Sequence, residues 1–436
     1  MNWDRHSLHP PIMTGSLVIA VAALPYSVKL CHLGIFLLTL NWLLEGSWQK
    51  KWFDLRSNLW VGGFVLLFIL TLIGVSYSSD VPNGWFQVEK KFTFALVPLI
   101  LASSPKLSRK QIDLLLNLFV ATCLIGTIIC LMVASNRWFA ASGGPLLNFD
   151  YFNAFSYEQQ NPGASRGWLY FSYLELSSGI GIHPTYFSIY LLFCVAILVF
   201  DWRPATPGLR IFRFVLIVYL ISFVALLSTR LALFTAVIIT LFFLANELRT
   251  DFTWRVLLGA LTLLTILVTM TALNPVSRFR SLEELQVTSF DILPRQYVNS
   301  TEIRYALWWT GLRAAEDVNP VVGAGSGSVA DRMDAIAKQY GVTNILGSRD
   351  PHNQFVFTWI ALGAIGFVVT LYCILFPARA AFKANDRVTI AFILLIGLAC
   401  LTESFLELQK GIVFFILFQS LLQIRKREDV HSVIAR

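Results

Sequence analysis

Apolar blocks of about 20 residues recur along this chain, and one of them runs from Phe355 to Phe376 without a charged residue. A block of that length crosses a bilayer as an α-helix, and backbone groups placed in lipid must be hydrogen-bonded within their own segment. The blocks are continuous rather than amphipathic, and 56% of the 436 residues are hydrophobic against 14% charged. These features predict an all-α, polytopic membrane protein with about twelve transmembrane helices. The expected spans are 12–28, 30–46, 59–77, 88–103, 111–135, 184–201, 211–228, 230–247, 254–273, 353–376, 388–407 and 411–424.

Two boundaries need an argument. The apolar run from Phe214 to Asn246 is too long for one crossing, and Ser228-Thr229-Arg230 interrupts it, so it reads as a hairpin with Arg230 at its tip. Lys29 divides the first pair in the same way. With the N-terminus inside and both divisions made, the basic clusters Lys50/Lys51/Arg56, Lys106/Arg109/Lys110, Arg203/Arg210/Arg213, Arg249/Arg255, Arg379/Lys383/Arg387 and Arg425/Lys426/Arg427 all fall on the cytoplasmic side. Reading 214–246 as one span would place the later clusters outside. The net charge of +8 is therefore a topological signal, distributed between spans, and does not form a stripe for nucleic acid.

All six cysteines lie within apolar spans and none forms a CxxC pair, so neither disulfides nor a zinc site is expected. The polar start MNWDRHSLHPPIMTGS precedes an apolar run but is not expected to be a cleaved leader, because hydrophobicity resumes directly after Lys29.

The topology divides the chain into 1–273, carrying nine helices and an outer loop at 136–183; 274–352, a long outer loop containing short helices; and 353–436, carrying the last three helices and a cytoplasmic tail. In a Gram-negative cell the outer compartment is the periplasm, which holds no ATP. A reaction there needs a donor that is already activated.

The polar residues able to do chemistry gather on that outer side. Arg230 at a span end and Arg304 in TEIRYALWWTGLRAAED are each suited to grip phosphate oxygens, since a guanidinium stays charged and donates two parallel hydrogen bonds. An interfacial arginine snorkelling to headgroups, or an ordinary amphipathic surface helix, explains the same positions without function. Trp308, one turn after Arg304, can stack against it. GAGSGS at 323–328, with Gly325 near its centre, can offer backbone N–H groups to an anion or serve only as a flexible turn. Asp350-Pro351 reads as an N-cap and first helical residue, so His352 is expected to open the following helix, where a neutral imidazole can act as a general base. His183, in GIHPTY, is expected to be structural or substrate-positioning. Glu403 and Glu407 stand one helical turn apart, and pairing with Lys410 is the plain explanation for them. No metal-ligand motif occurs in the outer loops, so no metal or other cofactor is expected.

STRLALF, EIRYALWWTGLRAAEDVNPVVGAGSGS and HNQFVFTWIALGAIG, together with VEKKFTFALVPLIL, resemble the O-antigen ligase and polymerase superfamily of bacterial envelope glycosyltransferases. The resemblance implies a multi-pass inner-membrane enzyme with its active site facing the periplasm. Such an enzyme moves a glycan from an undecaprenyl pyrophosphate carrier to a sugar hydroxyl on a glycolipid or glycan acceptor, with membrane lipids as its surroundings and no nucleic acid partner. It implies a metal-independent, inverting reaction in which Arg230 and Arg304 hold the pyrophosphate and His352 serves at the loop-to-helix junction. Ligases take a lipid A–core sugar as acceptor, whereas polymerases take another carrier-linked repeat; the length of the 136–183 loop leans toward the latter. A transporter of lipid-linked glycans is the alternative from another class. It would place charges near the bilayer midplane in matching halves, which this chain does not show in its sequence.

Overall fold

The computed structural model describes residues 5–142, 170–202, 206–250, 254–274, 300–342 and 350–434. Within these residues the chain is helical, and its sole β feature is an isolated bridge between Asn319 and Gly323. Much of the two expected outer loops (143–169, 275–299 and 343–349) lies outside the described residues.

The chain forms two compact units: residues 1–116 with 287–436, and residues 117–286. The first unit holds α1 (Arg5–Ala23), α2 (Val28–Glu45), α3 (Trp48–Arg56), α4 (Leu59–Val75), α5 (Val81–Ser103) and the start of α6 (Arg109–Ser142). The second holds the rest of α6, then α7 (Tyr173–Ser177), α8 (Pro184–Phe200), α9 (Pro207–Leu226), α10 (Arg230–Thr250) and α11 (Trp254–Leu273). The first unit resumes with α12 (Ser300–Glu316), α13 (Val329–Gln339), α14 (Gln354–Leu375), α15 (Ala378–Ala384), α16 (Arg387–Thr402), a 3-10 turn (Phe405–Glu407) and α17 (Gln409–Ile434).

Each of the twelve apolar segments expected from the sequence carries a helix. Among the described residues, four helical segments are long and apolar enough to cross a membrane, and six if α3 with α4, bent by 96°, and residues 173–180 with α8, bent by 74°, each count as one span. The described apolar stretches 8–23 of α1, 230–242 of α10 and 258–273 of α11, and the helix 387–402, fall short of that length. The boundaries follow local chemistry. Asp80 caps α5 through Asn83 N–H at 3.0 Å, Thr206 caps α9 with proline behind it, and Asp386 caps α16. The first two helices separate at residues 24–27, where Ser27 caps α2, rather than at Lys29, which lies inside α2.

The expected break at Ser228-Thr229-Arg230 is present: α9 ends at Leu226 and α10 starts at Arg230. Ser228 adopts φ 51°, which closes the turn. Buried hydrogen bonds fix it, from Thr229 Oγ1 to Ser188 Oγ at 3.0 Å and from Asn274 Nδ2 to both Ser172 Oγ (2.9 Å) and Ser228 Oγ (3.2 Å).

In the first unit, α14 is broken at Gly363 (φ 61°, ψ −159°), and the segment 319–325 fills the break. Ala324 and Gly325 N–H donate to the carbonyls of Ile360 and Ala361, which the break strands. Pro320 and Val321 carbonyls accept from Ala364 and Ile365 N–H, which open the second half-helix. Two carbonyls and two N–H groups at the broken helix ends are thereby paired within the protein.

Candidate functional site

The segment 350–354, which enters α14, is fastened along the segment 401–407, which leaves α16. Asn353 Nδ2 donates to Leu401 O at 2.9 Å, His352 Nδ1 meets Glu403 Oε2 at 2.7 Å, Ser404 Oγ donates to Asp350 Oδ1 at 2.5 Å, and Leu406 N–H donates to Gln354 Oε1 at 2.7 Å. Asn353, not Asp350, caps α14, accepting from Phe355 and Val356 N–H. His352 therefore stands before the helix instead of opening it. A side chain can cap only the N–H groups within two or three residues of it, and Asp350 is spent elsewhere, accepting His352 N–H at 2.7 Å.

His352 has φ 47°, an uncommon conformation for a residue bearing a Cβ. Two bonds hold it there: its N–H to Asp350, and its carbonyl, which accepts Trp308 Nε1–H at 3.2 Å. Trp308 is thus fixed to the histidine's backbone from α12, rather than assigned only to Arg304.

Glu403 joins the two residues singled out for chemistry. Its Oε1 lies 2.5 Å from Arg304 Nη2, and its Oε2 lies 2.7 Å from His352 Nδ1. Arg304 also donates to Thr402 O at 3.3 Å. An ionised carboxylate only accepts, so Nδ1 carries the proton and the neutral ring keeps its lone pair on Nε2. The hydrogen bond that His352 donates to Glu403 is the largest influence on the imidazole and raises its pKa; burial opposes this, while the charges of Glu403 and Asp350 assist it and Arg304 works against it. Burial alone would raise Glu403, but the His352 hydrogen bond and the Arg304 charge outweigh it and hold the carboxyl below its ordinary range. Burial pushes Asp350 up, against the hydrogen bonds from Ser404 and His352.

A second carboxylate anchors a buried polar layer beside this one. Glu407 Oε1 pairs with Lys91 Nζ at 2.9 Å and accepts Gln354 Nε2 at 2.8 Å, while Lys90 Nζ donates to Glu407 O at 2.9 Å. Glu403 and Glu407 thus have Arg304, His352 and Lys91 as partners from other segments, beyond the local pairing with Lys410 that the sequence suggested.

GAGSGS does not form an open anion nest. The N–H groups of 323–328 donate within the protein: Gly323 to Asn319 O, Ala324 to Ile360 O, Gly325 to Ala361 O, Ser326 to Gly74 O, Gly327 to Ser78 Oγ and Ser328 to Gly325 O. Its glycines permit close backbone approach; a Cβ on Gly323 would lie 2.6 Å from the Ala361 carbonyl carbon, and one on Gly325 2.5 Å from Ser78 Oγ.

In the second unit, Arg230 is the first residue of α10, half-buried, and His183 is the N-cap of α8, accepting Thr185 N–H at 3.3 Å. Capping explains His183 where it stands. Sequence reasoning gave Glu403, Glu407 and Asp350 only local roles and did not single out Lys91 or Gln354. The available signal was the cost of charge in an apolar setting: the stretch GLACLTESFLELQKGIVFF holds two carboxylates that need cationic partners. Among the described residues, no cluster of His, Cys, Asp and Glu has the makeup to hold a metal ion.

A chain of many helices, several of membrane length, bearing a charged and hydrogen-bonded cluster, is a multi-pass membrane protein with a polar site. Residues 214–371 match the family described as O-Antigen ligase, whose members are membrane enzymes of ligase and polymerase type that transfer glycans. The matched stretch contains Arg230, Arg304, Trp308, Gly325 and His352; His183, Lys91, Glu403 and Glu407 lie outside it. No curated protein matches the chain.

Proposed function

We propose that this protein is an O-antigen ligase-like glycosyltransferase that moves a glycan from undecaprenyl pyrophosphate to a sugar hydroxyl of a lipid A–core acceptor. The bridging of Arg304 and His352 by Glu403 carries the reading, because it puts a phosphate-gripping cation and an oriented base within one carboxylate's span. In the reaction, the acceptor hydroxyl gives its proton to His352 Nε2 while its oxygen bonds to the anomeric carbon. The bond from that carbon to the pyrophosphate breaks, and the departing oxygen's charge is met by Arg304. Attack opposite the leaving group inverts the anomeric centre. Guanidinium groups can supply the charge stabilisation, so the reaction proceeds without a metal ion.

The same proposal takes in the topology: about twelve spans in the bacterial inner membrane, the 1–273, 274–352 and 353–436 division, and a site open to the periplasm. The test is transfer by purified protein from lipid-linked glycan to lipid A–core in the presence of a chelator. Product formed under chelation supports the reading, and activity that requires an added divalent ion overturns the mechanism. Polymerisation of carrier-linked repeats is the second reading, favoured by the long 136–183 connection. Deleting the gene separates the two: long chains lost from lipid A while carrier-linked polymer persists means ligase, and single-repeat caps mean polymerase.

A further inference from the structure

We propose that Glu403 couples donor binding to the base: a diphosphate that takes Arg304 away from Glu403 leaves the whole carboxylate to His352. This rests on the reading above that Arg304 meets the donor's diphosphate. One carboxylate now serves two partners, one through each oxygen, at 2.5 and 2.7 Å. A diphosphate carries more charge and more acceptor oxygens than a carboxylate and matches the guanidinium fork, so it competes well for Arg304.

The two ends of the Arg304–Glu403 bridge differ in how firmly they are held. Glu403 is 11% exposed, and its segment is tied down on both sides by Asn353 to Leu401, Ser404 to Asp350 and Leu406 to Gln354. Arg304 is 38% exposed on a long, rotatable side chain. The arginine is therefore the end that moves, and Glu403 stays with the imidazole. The charges facing His352 are Glu403 from the end of α16, Asp350 from its own loop and Arg304 from α12; Lys90 of α5 and Glu407 interact with Asp350. Arg304 is the group among these that opposes protonation of the ring, both directly and by sharing its carboxylate. Moving it onto the diphosphate strengthens the base as the donor arrives. Glu403 is a positioning residue in this scheme, acting through His352 and never touching the sugar.

The experiment follows the His352 ring by NMR in histidine-labelled full-length protein in nanodiscs, titrated with pH in the absence and presence of farnesyl diphosphate. In the wild type, the probe is expected to raise the His352 titration midpoint, and most of that rise is expected to vanish in Glu403→Gln. A probe that binds but shifts both proteins equally acts through its own charge, which overturns the coupling and leaves the role of Arg304 standing. A probe bound no better by the wild type than by Arg304→Ala overturns that role and the coupling with it. Wild-type kinetics give a test that needs no variant. The acid limb of kcat, which reports the loaded enzyme, is expected at higher pH than that of kcat/KM, and coincident limbs overturn the proposal.

Discussion

Lys91 and Glu407 form an ion pair at 2.9 Å in which both side chains are less than one-tenth exposed. Removing one partner from such a pair strands a charge where water does not reach it. Glu407→Ala or Lys91→Ala is therefore expected to cost about 3–5 kcal/mol, while replacing both with apolar residues of similar volume recovers most of it. Thermal unfolding in detergent, followed by tryptophan fluorescence, checks this; singles as stable as the wild type would contradict it.

Gly363 and Val321 meet backbone to backbone where the loop enters the broken helix. A Cβ at 363 would press on the Val321 carbonyl and lie 2.6 Å from Val322 N, at a φ of 61°. Gly363→Ala is expected to destabilise the protein by about 1–3 kcal/mol through strain and overpacking. The measurement is the unfolding midpoint, set beside Gly62→Ala, where nothing lies within 4 Å of the added carbon.

The His352–Glu403 pair sets a pH window for both stability and activity. His352 is raised in the folded protein, so its contribution to stability is complete below its ordinary value of about 6.5 and is lost as pH rises through the raised one. Glu403 is lowered, so its contribution is present above its ordinary value and is lost as pH falls through the lowered one. The pair should support folding most between the two. The base is competent only once His352 is deprotonated, so the acid limb of activity is expected above the ordinary histidine range, and Glu403→Gln should move it to lower pH. Activity measured against pH in both proteins decides the matter.

His352→Ala is expected to lower glycan transfer by about 10²–10⁴, the usual contribution of a general base, while leaving insertion and expression intact. Arg304→Ala should abolish transfer. Reconstituted transfer assays, with membrane levels measured alongside, test both, and wild-type turnover by either variant removes its residue from the mechanism.

Arg230 owes its place to the helix break before it, which Asn274 pins. Arg230→Lys is expected to impair transfer because a point charge does not reproduce the two-pronged grip, whereas snorkelling to headgroups would tolerate the change. Asn274→Ala removes two buried hydrogen bonds, for about 1–3 kcal/mol of stability. Transfer assays on the first variant and unfolding of the second are the measurements.

The helices were legible in the sequence because a bilayer-length apolar run admits few backbone solutions, and the break at Ser228–Arg230 was legible because a charge and two small polar residues interrupt such a run. Arg304 and His352 also stood out, since ionisable groups are costly near lipid. Their partners did not. Glu403 lies 51 residues after His352 and 99 after Arg304, and helical spacing offered it only Lys410. Likewise, GAGSGS and the GAIG of α14 carry no mark that one is threaded through the other. Residue types and local periodicity are properties of the chain, and they determined the elements. Which distant charges share a carboxylate, and which carbonyls a glycine loop satisfies, follows from packing that brings remote segments within hydrogen-bond range, and only the tertiary structure decided it.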